Sequence, residues 1–206
     1  TDDPPSEPPG DEPPDEEPDP EPPVDDPPPE EPGDDPDPTI PEPWLDDAFT
    51  VVVLPDTQNM LGVKTANNDM VATMTAWIVD NVAERDIAFV THVGDIVDRG
   101  HDPLEWQRAH EQLGALDGSV PYGIALGDHD YEVEEDMSSS TAFYRHYFGP
   151  QRYEEYDWFG GSGPDGLSHY QYVESGGRTF LHVTLEWEAR GPADDPSTPL
   201  GWARAV

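Results

Sequence analysis

The sequence predicts an α/β domain built on a largely parallel sheet and preceded by a stiff, solvated linker. Three aliphatic runs, Val51 to Leu54, Ile87 to Val93 and Tyr122 to Leu126, have the length and β-branched content of buried strands. Two segments of helical periodicity separate them, which is the order of βαβ units. The third observation is a break in composition. Between Thr1 and Pro43 there are 18 Pro, 18 Asp or Glu and no Lys or Arg.

Residues 1–43 hold only Val24 and Ile40 as aliphatic side chains, so they have nothing with which to form a core. Like-charge repulsion and Pro density favour an extended chain, and the segment reads as a spacer, with capture of calcium or a basic partner as the alternative. Residues 44–206 form one domain of ordinary size. Phe49 to Leu54 is its first strand, ended by Pro55, and a polar loop with Gly62, Asn67 and Asn68 follows. From Asp69 to Glu84 the spacing of Met70, Met74, Trp77, Ile78 and Val82 predicts an amphipathic helix with those residues inward. Asp86 to Val93 is the second strand. Pro103 to Leu116 is a second helix, with Pro103 in its first turn and Leu104, Trp106, Leu113 and Leu116 toward the core. Tyr122 to Leu126 is the third strand. A short helix is expected over Ser138 to Tyr147, then a Gly- and aromatic-rich loop from Phe148 to Ser168 that is either a pocket wall or a self-packed surface loop. Ser175-Gly176-Gly177-Arg178 predicts a hairpin between strands at Tyr170 to Glu174 and Thr179 to Glu186, and Leu200 to Val206 opens a helix.

The charge narrows the partners. Of a formal net −37, residues 44–206 carry −19, with no Lys or Arg cluster. Such a surface repels a phosphate backbone, so nucleic acid is not an expected partner, whereas a small phosphate ester stays open because bound metal ions invert the local potential. No apolar run is long enough to span a bilayer. The absence of cysteine removes thiolate metal ligands. An export signal, with a lipid anchor, is expected upstream of residue 1, which would place the domain in the cell envelope or outside the cell.

Each strand runs into an acidic motif: Asp56-Thr57-Gln58, Gly94-Asp95-Ile96-Val97-Asp98-Arg99-Gly100 and Gly127-Asp128-His129-Asp130. The carboxyl-end edge of an open α/β sheet is where ligands bind. Carboxylate and amide oxygens with imidazole nitrogens suit hard or borderline divalent ions. Asp56 and Gln58, two apart, can reach one ion, Asp95 can bridge to a second, and Asp128 can hold that second ion. A metal pair clamps an in-line phosphoryl displacement and activates a water as hydroxide. His129 would then protonate the leaving oxygen, with Asp98 orienting its imidazole. Alone, each motif also reads as an ordinary turn. Their order and shared placement at strand ends argue against coincidence.

The series DTQ, GDIVDRG and GDHD resembles the first three blocks of the calcineurin-like metallophosphoesterases, usually D-x-H, GD-x-x-D-x-G and GNH-D or GNH-E. LPDTQ, THVGDIVDRG, VPYGIALGDHDY and FLHVTLEW are similar to a bacterial, exported branch of that superfamily. The resemblance covers Phe49 to Val206. It implies an αββα sandwich, two divalent metal ions (Mn, Fe or Zn), Asp56 and Gln58 on the first metal, Asp95 bridging, Asp128 on the second, and His129 with Asp98 as the catalytic pair. Arg99 stands where one branch contacts phosphate, and a surface ion pair is its other reading. The implied reaction is hydrolysis of phosphomonoesters or phosphodiesters. The alternative is a noncatalytic envelope binding module on a degenerate site.

Three departures bear on that choice. Gln58 replaces the usual His, Asp128 replaces the usual Asn, and the later His and G-H-x-H blocks are absent. Those ligands are expected beyond Val206, and the fragment alone is expected to bind metal poorly and turn over little. The remaining histidines do not substitute: His92 and His182 read as packed strand residues, His110 and His146 as helical, and His101 and His169 as loop residues.

Overall fold

The computed structural model describes residues 48–62 and 69–206. The predicted linker over 1–43 and most of the polar loop after Gly62 lie outside the described residues.

Three parallel strands, β1 (Thr50–Leu54), β2 (Ile87–His92) and β3 (Tyr122–Ile124), form one sheet in the order β1-β2-β3. Helix α1 (Gln58–Leu61) and helix α2 (Met70–Asn81) lie between β1 and β2, and α3 (Pro103–Leu113) with a 3₁₀ turn at Gly114–Leu116 lies between β2 and β3. Helix α4 (Ala142–Phe148) and a 3₁₀ turn at Pro150–Arg152 follow. Three antiparallel strands, β4 (Phe159–Ser162), β5 (His169–Ser175) and β6 (Arg178–Thr184), then make a second sheet. Helix α5 (Pro199–Ala205) places Trp202 beside Tyr170, with ring centroids 6.0 Å apart.

The two sheets meet face to face. Phe89 of β2 lies against His182 of β6 at 4.4 Å between ring centroids, and Gly123 of β3 faces the side chains of Gln171 and Thr184. This mixed α/β architecture, with a parallel and an antiparallel sheet, agrees with the predicted fold class. The core joins the three parallel strands to the helices through Ile78, Trp106, Leu113, Leu116, Tyr144 and Phe148, all buried. α3 starts as its sequence dictates: Pro103 opens it, and the Asp102 carboxylate accepts from Leu104 N–H as a cap.

Four expectations are corrected. The buried face of α2 is Val71, Thr75 and Ile78, while Met70 and Trp77 are exposed. Thr75 turns inward because its hydroxyl donates to the Val71 and Gln112 carbonyls, which removes the cost of burying it. Leu104 is exposed, because it sits on the first turn of α3 facing away from Trp106 and Ala109. The long loop contains β4, whose Gly160 gives up its side-chain space to the Tyr170 ring. Finally, His169 lies within β5 and is fully buried.

Candidate metal centre

The edge at Leu54, His92 and Ile124 presents all three motifs together. Directly after Pro55, Asp56 is exposed and takes two bonds from Gln58: the backbone N–H donates to Oδ1 at 2.9 Å and the side-chain amide to Oδ2 at 3.1 Å. With its amide nitrogen so engaged, Gln58 keeps its carbonyl oxygen as the remaining ligand atom. Thr57 is buried and ties this loop to the next one. Its N–H donates to the Asp95 carbonyl at 3.1 Å, its hydroxyl donates to the Ile96 carbonyl at 3.0 Å, and His92 Nε2 lies 3.0 Å from the same hydroxyl. Gly94 N–H donates to His92 Nδ1 at 3.2 Å, so the ring is neutral, protonated on Nε2. Burial lowers the His92 pKa to about 4, against the pull of Asp56. His92 is thus a buried support, as its strand position predicts.

The second and third motifs interlock through glycine and Asp130. Gly94 has φ +100° and Asp95 has φ +52°, a left-handed pair that turns the chain abruptly under the edge. A Cβ on Gly127 would overlap the backbone nitrogen and Oδ1 of Asp95, and one on Gly94 would lie 2.9 Å from Gly127 N. Asp130 is buried and accepts three main-chain N–H groups: Ile96 at 2.8 Å and Val97 at 3.2 Å on Oδ1, and Gly127 at 2.8 Å on Oδ2. Burial raises its pKa to about 7, against the lowering by those N–H groups. Sequence reading treated Asp130 as part of a turn. Its signal was its place two residues past the Gly-Asp of the third motif.

Asp95, Asp128 and Asp56 are crowded together. Partial burial raises the Asp95 pKa first, a hydrogen bond from His129 N–H at 3.2 Å opposes that rise, and the Asp128 and Asp56 charges add to it. A site that packs like charges in this way suits a cation between them. Asp128, His129 and Glu134 also offer one ligand atom each within 4.8 Å of one another. The donor set of carboxylates and an amide therefore fits the divalent ions that the resemblance implies.

His129 is held from both sides. Nδ1 is 3.0 Å from the Asp98 backbone carbonyl and Nε2 is 2.9 Å from Glu134 Oε1. Both partners accept, so the two contacts favour the imidazolium form, with a proton on each ring nitrogen. Burial works against that charge, and the Asp98 carbonyl with the Glu134, Asp95 and Asp128 carboxylates outweighs it, raising the His129 pKa. Asp98 thus meets His129 through its main chain, while its carboxylate is 3.9 Å from Arg99. Glu134, five residues past His129 in an irregular loop, gave no sequence signal. Arg99 spends its guanidinium on buried Glu105, 2.7 Å from Oε1, and on Asp102, also at 2.7 Å. That geometry is the ion-pair reading of Arg99.

The family model for calcineurin-like phosphoesterases matches residues 49–201. The chain is also 33% identical over 146 residues to the uncharacterized protein YvnB of Bacillus subtilis (strain 168). That alignment takes in 70% of this chain and spans 11% of the length of YvnB.

Proposed function

Because the chain belongs to the calcineurin-like phosphoesterase family, whose members in general hydrolyse phosphoesters with metal ions, we propose that it cleaves small phosphomonoesters or phosphodiesters at a dinuclear centre. The observation that carries this reading is the convergence of Asp56, Asp95 and Asp128 beside a doubly held His129. Asp56 and Gln58 would hold one ion and Asp128 the other, with Asp95 between. Mn, Fe or Zn bound there would supply Lewis-acid activation of a phosphoryl oxygen and of the attacking water.

The protein's own residues do the rest. The Asp98 carbonyl fixes the His129 ring and keeps its Nδ1 proton in place. The Nε2 proton, held by Glu134, passes to the leaving oxygen when that oxygen displaces the carboxylate. Arg99 acts as a structural cation that joins the second motif to α3 through Glu105 rather than as a phosphate clamp.

The test is metal content together with hydrolysis of a chromogenic phosphomonoester and a phosphodiester in Mn, on the natural gene product. Two metals per chain, with turnover lost in Asp95→Asn and rate but not metal lost in His129→Ala, is the expected result. Full activity in either variant sinks the mechanism. A second reading rests on Gln58 and Asp128, which depart from the family pattern: a folded, metal-free, inactive protein would make this a noncatalytic binding module. Export to the envelope on the acidic linker belongs to the same proposal, and recovery of the natural protein in the cytosolic fraction counts against it. Among the described residues, no helix is long and apolar enough to cross a membrane.

A further inference from the structure

A cavity of about 550 Å³ opens at the end of the parallel sheet opposite the acidic edge. Ile87, the first residue of β2, and Pro121, just before β3, contribute apolar surface to it. Trp158 and Tyr172 add aromatic rings, and Asp157 and Glu174 add two carboxylates. Among the described residues, none lining it is Lys, Arg or His. We propose that this cavity binds a small organic cation, an ammonium or quaternary ammonium group on a short apolar body.

The chemistry of the lining selects that class. Aromatic rings attract a cation through their quadrupole, and the attraction is stronger for weakly hydrated ammonium groups that shed water readily. The two carboxylates supply a charge that no lining cation cancels, and they exclude anions. A bare metal ion is a poor fit, since two carboxylates beside aromatic and aliphatic surface fall short of the six to eight oxygens that a calcium-like ion takes. A neutral apolar ligand would use Ile87 and Pro121 and leave the carboxylates without a partner. The volume falls in the range of small-ligand cavities.

The aromatic part of the cavity is also held in place by contacts within the protein. The Trp158 carbonyl accepts the Tyr172 N–H at 2.8 Å, which fixes the two residues to each other. The indole stacks on Tyr156 with centroids 4.8 Å apart and planes 13° apart. Tyr172 in turn meets Tyr170 edge-on, at 5.6 Å and 88°. Preorganised rings lose little entropy on binding.

The experiment is an NMR titration of the 206-residue chain with choline, with 3,3-dimethylbutan-1-ol as its uncharged isostere and with glucose as a neutral ring-stacking probe. Saturable choline shifts of the Trp158 indole N–H, assigned through Trp158→Phe, are expected, with the neutral isostere bound about tenfold more weakly. The double variant Asp157→Asn/Glu174→Gln, both exposed positions, should keep its dispersed spectrum and lose most of the affinity for choline. Equal binding of choline and its isostere overturns the proposal, as do tighter binding of glucose, no saturable shift, or shifts away from Trp158 and Tyr172.

Discussion

Asp130 and His169 are both buried polar side chains, and they serve the two sheets in opposite ways. Asp130, beyond the parallel strands, spends its carboxylate on main-chain N–H groups of Ile96, Val97 and Gly127. His169, inside the antiparallel sheet, divides its ring between a side chain and the facing sheet: Gln171 Nε2 donates to Nδ1 at 2.5 Å, and Nε2–H donates to the Ile124 carbonyl at 3.1 Å. The Gln171 carbonyl oxygen is then 3.0 Å from His182 Nδ1, so an imidazole–amide–imidazole chain runs between the sheets. The difference follows from the backbone. An antiparallel ladder satisfies its own N–H groups, so buried side chains there pair with each other and set sheet against sheet. Loops leaving parallel strands carry unmet N–H groups, and a buried carboxylate gathers them into a fixed cradle for the site.

The largest expected effect breaks the first arrangement. Asp130→Ala would leave the Ile96, Val97 and Gly127 N–H groups buried without an acceptor, and should cost about 3 kcal/mol or more. Urea denaturation reads this directly, and the metal content expected of the proposed site should fall with it because Asp95 directly precedes Ile96 and Asp128 directly follows Gly127. A loss below about 1 kcal/mol, within the ordinary range for a surface change, would mean that the carboxylate does not organise the edge.

A smaller, pH-dependent effect probes the second arrangement. Burial lowers the His169 pKa from 6.5 to about 4, against the raising effect of the Ile124 bond. The unfolded chain therefore binds a proton that the folded chain refuses. Stability is fully present above about pH 6.5 and is lost as pH falls toward 4, by up to about 3 kcal/mol from this residue. The structural reason is that an Nδ1 proton would point at the Gln171 amide hydrogens. Thermal melts of the wild type and His169→Gln between pH 7 and 4 should converge as the pH falls. Parallel curves would show that His169 titrates normally and that the network is open to water.

Much of the acidic edge was legible in the sequence because its code is local. An aliphatic run that ends in Gly-Asp or Pro-Asp specifies strand, turn and candidate ligand within a few residues, and Asp56, Gln58, Asp95, Asp128 and His129 all stand on that edge. What was not legible depends on chain returning from elsewhere. Glu134 reaches His129 through an irregular loop, and Asp98 meets the same ring through a carbonyl, an atom that every residue possesses. β4 was hidden because Gly160 and Gly161 read as loop, and only the Tyr170 ring packed over Gly160 supplies the missing side-chain surface. The same reason explains α2, where helical spacing suggested Met70 and Trp77 for the core. A hydrogen bond to the Gln112 carbonyl, 37 residues away, brings Thr75 inward instead.

Leu104 gives the smallest effect and the sharpest test of that distinction between local pattern and tertiary placement. Its apolar side chain made it a core candidate together with Trp106, yet it is 55% exposed while Trp106 is fully buried and donates its indole N–H to the Gly100 carbonyl at 2.9 Å. Leu104→Gln should shift stability by no more than about 0.5 kcal/mol, since a surface helix position loses little when a leucine becomes another good helix former. Trp106→Leu should cost several times as much, because it removes packing against Phe143, Tyr147 and Phe148 and leaves the Gly100 carbonyl without that donor. If the two variants cost the same in urea denaturation, the first turn of α3 is oriented differently from the structure described above, and the cap at Asp102 and the ion pair of Arg99 with Glu105 would have to move with it.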